Sequence, residues 1–541
     1  MLSKVIRLLI VLTMFMGVFA YAPAVQAGPA ACNNRNNNTH AKLLECVTLE
    51  GVREHQAAFQ AIADENGGTR AAGTPGYDAS VDYVVERLTA AGYNVTLDEF
   101  PFLFFPPALL QQLTPVNVVH ETGVFTASGF GDVTANVVPV DINLTPPRAN
   151  TSGCDGAYTE AAVGAAIVAD PAGPDDFAGF PAGSIALTQR GGCSFALKAY
   201  NAQAAGASAM ILFNQGNDPT REGLIVGTLV VAAGTPGPVT IPVVGASFAS
   251  GVSLAQPGST AHILVEAPRT VTQVNVLAES KGGDPNNVVM AGAHLDSVQA
   301  GPGINDNGSG SAALIEVAEQ MAKVKPRNKV RFAWWGAEES GLIGSTQYVA
   351  GLSQAERDRI ALYLNFDMVG SPNYVFFIYD GDNSDGVGSP AGPPGSAEIE
   401  ETFEAFYTMV GEPFKGTDFT GRSDYGPFIA AGVDIPSGGL FTGAEGVKTA
   451  QEAAIWGGTA GQQYDPCYHL ACDTYANNSD HALDVNSDAI AFAILQYAMS
   501  TEDINGAQGK GNFPPVSGGE DEGEPGSSSD SGLHDHELPA E

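Results

Sequence analysis

Three apolar runs that each end on metal-binding or proton-carrying side chains constrain this chain more than any other feature of its sequence. NVVMAGA leads into His294-Leu295-Asp296, Val330–Trp335 into Gly336-Ala337-Glu338-Glu339, and IALYLNF into Asp367. Near-continuous apolar runs of this length read as strands buried on both faces, as in the parallel sheets of α/β proteins. Open α/β sheets bind ligands just beyond the carboxyl ends of their strands, where all three polar groups fall. The expected fold is therefore α/β, a mixed and mostly parallel sheet sandwiched by helices.

The flanking segments fit that frame. Leu43, Leu44, Val47, Val52, Phe59 and Ile62 recur at loose helical spacing over residues 41–63, and Val81, Tyr83, Val84, Leu88 and Ala91 do so before Gly92 stops the run. YNVTLDEFPF then alternates as a strand does. From Pro106 the chain changes to short β-rich runs with Gly and Pro turns, interrupted by one clear helix from Phe195 to about Ala205. His120 and His262 lie in this stretch without partners at metal-ligand spacing and read as ordinary histidines. The chain thus divides into a discontinuous domain, residues 28–105 and 269–503, and an inserted β-rich domain, residues 106–268. Several folded units are also what 541 residues predict.

Lys and Arg number 24 against 60 Asp and Glu, a formal charge of −36. Such a field repels nucleic acid and anionic lipid, so neither is an expected partner. Residues 1–27 combine Lys4 and Arg7, an apolar run from Leu8 to Ala20 and a small-residue site at Val25-Gln26-Ala27, the pattern of a secretory signal. The apolar run is too short to span a bilayer, and no later segment qualifies, so a secreted protein free of the membrane is expected. Six cysteines suit that oxidising route. Proximity favours Cys32 with Cys46 and Cys467 with Cys472, which leaves Cys154 for Cys193. Residues 504–541 are acidic, poor in apolar side chains, and read as a disordered tail.

The strand ends carry the chemistry. Asp296, two residues beyond His294, is placed to take the far ring nitrogen of a metal-bound histidine. Asp306, in Asn305-Asp306-Asn307, falls where a helix begins and serves either as its N-cap or as a ligand. Two adjacent carboxylates such as Glu338 and Glu339 repel unless a cation neutralises them or one is protonated. A metal pair meets both needs, one glutamate ligating while its neighbour acts as general base. His469 sits between Cys467 and Cys472, whose bridge would hold its loop. His294, Asp306, Glu339, Asp367 and His469 together supply two imidazoles and three carboxylates, a set suited to two Zn²⁺ ions.

The motifs AHLDS, GINDNGSG, WWGAEESGLIGS, NFDMVGS, FTGRSDYGPFIAAG, GGLFTGAEGVKT and YDPCYHLACDT resemble those of the secreted di-zinc aminopeptidases of the Streptomyces and Vibrio type, the Streptomyces form more closely. The resemblance covers about residues 50–105 and 270–500. GSIALTQRGGCSFALKAYNAQAAGASAMILFN in turn resembles the protease-associated domain, a non-catalytic insertion in several peptidases. The first resemblance implies a zinc-exopeptidase fold, with His294 and Asp367 on one zinc, Glu339 and His469 on the other, and Asp306 bridging. It further implies Glu338 as general base, Tyr468 polarising the scissile carbonyl, Arg422 contacting the peptide and Phe441 lining the side-chain pocket. Asp484 and Asp488 match positions that bind a structural calcium in the Streptomyces-like enzymes; the N-terminal calcium ligands of that family have no counterpart here.

The expected activity is hydrolysis of the N-terminal peptide bond of peptides with a free N-terminus, by a monomer preferring Leu, Phe or Met first. The sequence contains no strict G-x-S-x-G and no H-E-x-x-H, so the commonest rival hydrolase motifs are missing. Two alternatives are a single-zinc glutaminyl cyclase and a non-catalytic secreted binding protein.

Overall fold

Helices His40–Leu44 and Leu49–Glu65 meet at a boundary set by one side chain. The computed structural model describes Cys32 and residues 34–516 apart from 150–151, 161, 231–236, 387–389, 510 and 512. The expected signal and most of the expected tail lie outside these residues. In place of one helix over 41–63 there are two, His40–Leu44 and Leu49–Glu65. Thr48 is extended, and its hydroxyl accepts the amide hydrogen of Gly51, which starts a new helix where spacing alone suggested continuity. Helix Pro75–Ala91 follows and stops at Gly92, whose φ of 96° suits glycine. Strand β1 (Asn94–Phe104) comes next.

The chain forms two compact units, Leu103–Val271 and the residues on either side of it. In the inserted unit lie β2 (Leu109–Thr114), β3 (Val118–His120), β4 (Gly131–Pro139), β5 (Tyr158–Glu160), β6 (Ile167–Ala169), β7 (Ile185–Gln189), β8 (Ala209–Phe213), β9 (Val243–Ala246) and β10 (Thr260–Val265). Seven of them form one sheet ordered β3-β2-β10-β4-β7-β8-β9, while β5 and β6 pair separately. From β4 to β9 the strands run parallel, and β7 and β8 are buried at every residue. Helix Phe195–Ala204 was expected; a second, Phe248–Leu254, was not. Its seven residues, FASGVSL, are too few to display a helical period, and Ser247 caps its start. Lys198 is fully buried and ties the ends of the Cys154–Cys193 loop by donating to the carbonyls of Ser152 and Gly191.

The flanking unit continues with β11 (Arg269–Glu279), β12 (Asp284–His294), β13 (Asn328–Trp335), β14 (Ile360–Phe366), β15 (Phe377–Tyr379), β16 (Lys415–Thr417) and β17 (Ser437–Phe441). Its eight-stranded sheet has the order β1-β11-β13-β12-β14-β17-β15-β16. The central strands β13, β12, β14 and β17 are parallel, and antiparallel pairs flank them. Successive residues of β12 serve two cores. Val289, Ala291 and Ala293 pack with Ala312, Ile315 and Ile490 of helices Gly308–Met321 and Asp480–Met499; Val288 and Met290 pack with Trp335, Tyr363 and Phe428. Burial on both faces is why these strands read as unbroken apolar runs. Three disulfides, Cys32–Cys46, Cys154–Cys193 and Cys467–Cys472, match the expected pairing.

Candidate metal centre

Three neighbouring parallel strands deliver the polar groups to one edge. His294 ends β12 opposite Trp335 at the end of β13, so Glu338 and Glu339 follow on the next turn. Asp367 follows β14 directly. Asp306 precedes helix Gly308–Met321, but the cap is Asn307, whose side chain accepts from the Gly310 amide. Asp306 is thereby left to face the histidines. His294 Nε2 lies 3.3 Å from Asp306 Oδ1 and 3.2 Å from Asp367 Oδ1. His469 Nε2 lies 3.3 Å from Asp306 Oδ2 and 3.0 Å from Glu339 Oε2. Two groups with metal-binding geometry result, His294–Asp306–Asp367 and Asp306–Glu339–His469, and Asp306 belongs to both.

Burial and mutual charge set the electrostatics. Burial alone would lower the pKa of His294, but Asp367, Glu338 and Asp306 outweigh it and hold the imidazole well above its ordinary value. Burial likewise opposes charge on His469, yet hydrogen bonds to Asp306 and Glu339 push it up to about 10. Asp306 goes the other way: the hydrogen bonds from both histidines overcome burial and drive it far below the carboxylate range. Burial, then Asp306, lifts Glu339 to about 7. Glu338 is raised well above its usual value, first by burial and then by Asp367, Asp424 and Glu339.

The residues fit zinc. Imidazole and carboxylate are donors that zinc accepts. Glu339 Oε1 is buried without a hydrogen-bond donor, an arrangement that a cation relieves. Outside this edge, the cluster His55–Glu316–Glu319 has Glu319 held by Arg87, and in the cluster Asp380–Asp382–Glu400 each carboxylate accepts backbone amides.

Support comes from residues around the ligands. His294 Nδ1 meets the backbone carbonyl of Asp296 at 3.1 Å, whereas the Asp296 carboxylate, expected to do this, stands 3.8 Å away. That carboxylate instead accepts the amides of Glu338 and Glu339, at 3.1 and 3.3 Å, and so aims the glutamate pair. Ala337, Met368 and His469 have φ of 56°, 50° and 56°, left-handed backbone that non-glycine residues rarely adopt; Ala337 adjoins Glu338, Met368 adjoins Asp367, and His469 is itself in a candidate group. Ser423 donates to Asp367 Oδ2 at 2.6 Å. The Tyr468 ring stacks on His469 at 3.8 Å, and the Arg422 guanidinium reaches the Tyr468 oxygen at 3.3 Å. Phe441 stacks on Phe377 in a cluster with Tyr464. Asp484 and Asp488 lie apart on helix Asp480–Met499; among the described residues they join no group of three metal-binding side chains.

Two further supports leave no mark in the sequence. Arg70 is fully buried and donates to the carbonyls of Leu295, Pro302 and Gly303, in the loop joining His294 to Asp306. Asp473, beside Cys472, accepts the amides of Asn305 and Asp306 at 2.8 and 2.9 Å. Neither shows a local signal, because each acts across more than 160 residues of chain.

A model of peptidase family M28 matches residues 275–494, and one of the PA domain matches 133–254. An aminopeptidase of Pseudomonas aeruginosa is 48% identical over 473 residues, 86% of this chain and 83% of that one. The chain belongs to peptidase family M28. Among solved structures, the M28 chain is similar to an aminopeptidase of Aneurinibacillus sp. strain AM-1, with TM-score 0.50 and 26% identity over 88% of this chain and 98% of that one. A zinc aminopeptidase of Bacillus subtilis has the same fold, with TM-score 0.54, 23% identity, and coverage of 86% and 99%. By family this M28 chain is an aminopeptidase whose inserted unit is a PA domain.

Proposed function

We propose that the chain is an exported di-zinc aminopeptidase that removes large hydrophobic residues from peptide N-termini, with Glu338 as general base. The observation that carries this reading is the shared Asp306 carboxylate, one oxygen toward His294 and the other toward His469, with Glu338 Oε2 3.8 Å from His294 Nε2. His294, Asp306 and Asp367 would hold one ion, and Asp306, Glu339 and His469 the second. When bound, zinc supplies Lewis acidity that polarises the scissile carbonyl and brings ionisation of a water into the neutral range.

The protein's own groups do the rest. Glu338, aimed by Asp296 through its backbone amide, accepts the proton of the attacking water and passes it to the departing amine. Burial, which raises its proton affinity, suits it to both halves of that task. Tyr468 donates a hydrogen bond to the carbonyl oxygen as negative charge gathers there. Glu338 and Asp367 face the free α-ammonium, which excludes internal peptide bonds. In this reading Phe441, which packs with Phe377 and Tyr464, lines the first-residue pocket and favours Leu, Phe or Met there. Three disulfides and the leader-like residues 1–27 support export, and no helix of the described chain is long and apolar enough to cross a membrane. Burial and the charge of Asp484 lift the Asp488 carboxyl to about 8, a strain that the proposed calcium on this pair would relieve. The enzyme works as a monomer on peptides, apart from nucleic acid.

Side-by-side hydrolysis of leucyl-, glutamyl- and N-acetyl-leucyl-p-nitroanilide tests this reading. Turnover is expected on the leucyl compound alone; equal turnover of the acetylated one refutes exopeptidase action. Glu338→Gln is expected to lower kcat by about 100-fold or more with zinc content unchanged, and undiminished turnover would remove Glu338 as the base.

A further inference from the structure

Arg422 stands at the rim of the site with 62% of its side chain exposed, yet its guanidinium is held at both ends. Nη1 donates to Glu445 Oε1 at 2.7 Å, and Nη2 donates to the Tyr468 oxygen at 3.3 Å. A guanidinium is a rigid planar fork, so fixing the direction of one N–H fixes the other. It also has no acceptor, so the Tyr468 hydroxyl cannot donate back to it. The Tyr468 ring is already fixed by its stack on His469, and rotation of the O–H bond is the freedom that remains. With the phenol oxygen accepting from Arg422, its hydrogen is turned elsewhere.

We propose that Glu445 is a positioning residue: it orients Arg422 so that the Tyr468 hydroxyl hydrogen points at the substrate carbonyl. The proposal rests on the reading of Tyr468 as the group that polarises that carbonyl. Exposed ion pairs contribute little to stability, and the Glu445 side chain is itself one-third exposed, so this contact serves direction more than folding. Without Glu445 the long Arg422 side chain regains its rotamers, and the phenol loses the donor that biases it.

The test is a double-mutant cycle of Glu445→Ala and Tyr468→Phe, with Glu445→Gln as the conservative variant, read as kcat and KM on leucyl-p-nitroanilide. Glu445→Ala is expected to lower kcat about 5- to 20-fold with KM within about twofold and the melting temperature unchanged. Glu445→Gln, which keeps an acceptor for Arg422, should recover most of the loss. In the Tyr468→Phe background, itself slowed about 100-fold, Glu445→Ala should cost nothing further. A loss that multiplies fully with Tyr468→Phe, or that appears in KM alone, overturns the positioning role while leaving Tyr468 its own. A Glu445→Ala enzyme equal to the parent also overturns it. If Tyr468→Phe leaves kcat unchanged, the reading of Tyr468 falls and the proposal falls with it.

Discussion

Arg70 is fully buried and, among the described residues, forms no ion pair; its guanidinium hydrogen bonds go to three carbonyls of the loop between His294 and Asp306. Burial lowers its pKa to about 10, and Asp296, Asp473, Asp306 and Glu339 pull the other way, so the cation is retained at neutral pH. Its guanidinium also lies over the Phe59 ring at 4.8 Å. Replacing it by methionine strips three buried carbonyls of their donor. Arg70→Met is expected to cost about 3 kcal/mol or more, read as a lower urea midpoint at unchanged slope; an unchanged midpoint would show that water satisfies the loop equally well. At this scale the sequence was legible where a polar group follows an apolar run: His294, Glu339 and Asp367, each found just past such a run, come together in the candidate metal groups. It was silent on Arg70, whose partners lie 225 or more positions away, and misleading on Asp296, whose backbone carbonyl takes the part assigned to its carboxylate.

Between helices Leu49–Glu65 and Gly308–Met321 a buried carboxyl is held where periodicity shows only packing. A Cβ added at Gly51 would meet the Glu316 carboxyl carbon at 2.4 Å, so glycine is what admits that side chain. Glu316 accepts from the Thr48 amide at 3.3 Å and Gln320 at 3.2 Å; burial, then the charge of Glu319, lifts it to about 8 from an ordinary 4.5. A folded pKa above the unfolded one means that the native state binds more protons between those two values, so stability falls as pH rises through that window. Glu316→Gln removes the titration and keeps an acceptor. Melting curves should show the variant more stable by a few kcal/mol near pH 8.5 and little changed near pH 5, whereas an equal shift at both would contradict it. The buried strands were plain in sequence because both faces are apolar. Helix Phe248–Leu254 and the break at Thr48 were not, since one is too short to show a period and the other turns on a single cap.

Across the whole molecule, the strand ends pointed to the edge where the candidate metal groups lie, and the β-rich inserted unit coincides with a change of periodicity near Pro106. Contacts between distant segments were what the sequence withheld: Cys467–Cys472 and Asp473 anchor His469 and Asp306 in one place only once the chain is folded. In the proposed enzyme two zinc ions would share the Asp306 carboxylate. Metal analysis of the purified protein, beside leucyl-p-nitroanilide hydrolysis before and after chelation, tests it most directly. Two zinc ions per chain are expected, with loss of turnover on their removal and its return on adding zinc. Full turnover with one zinc or none would contradict it.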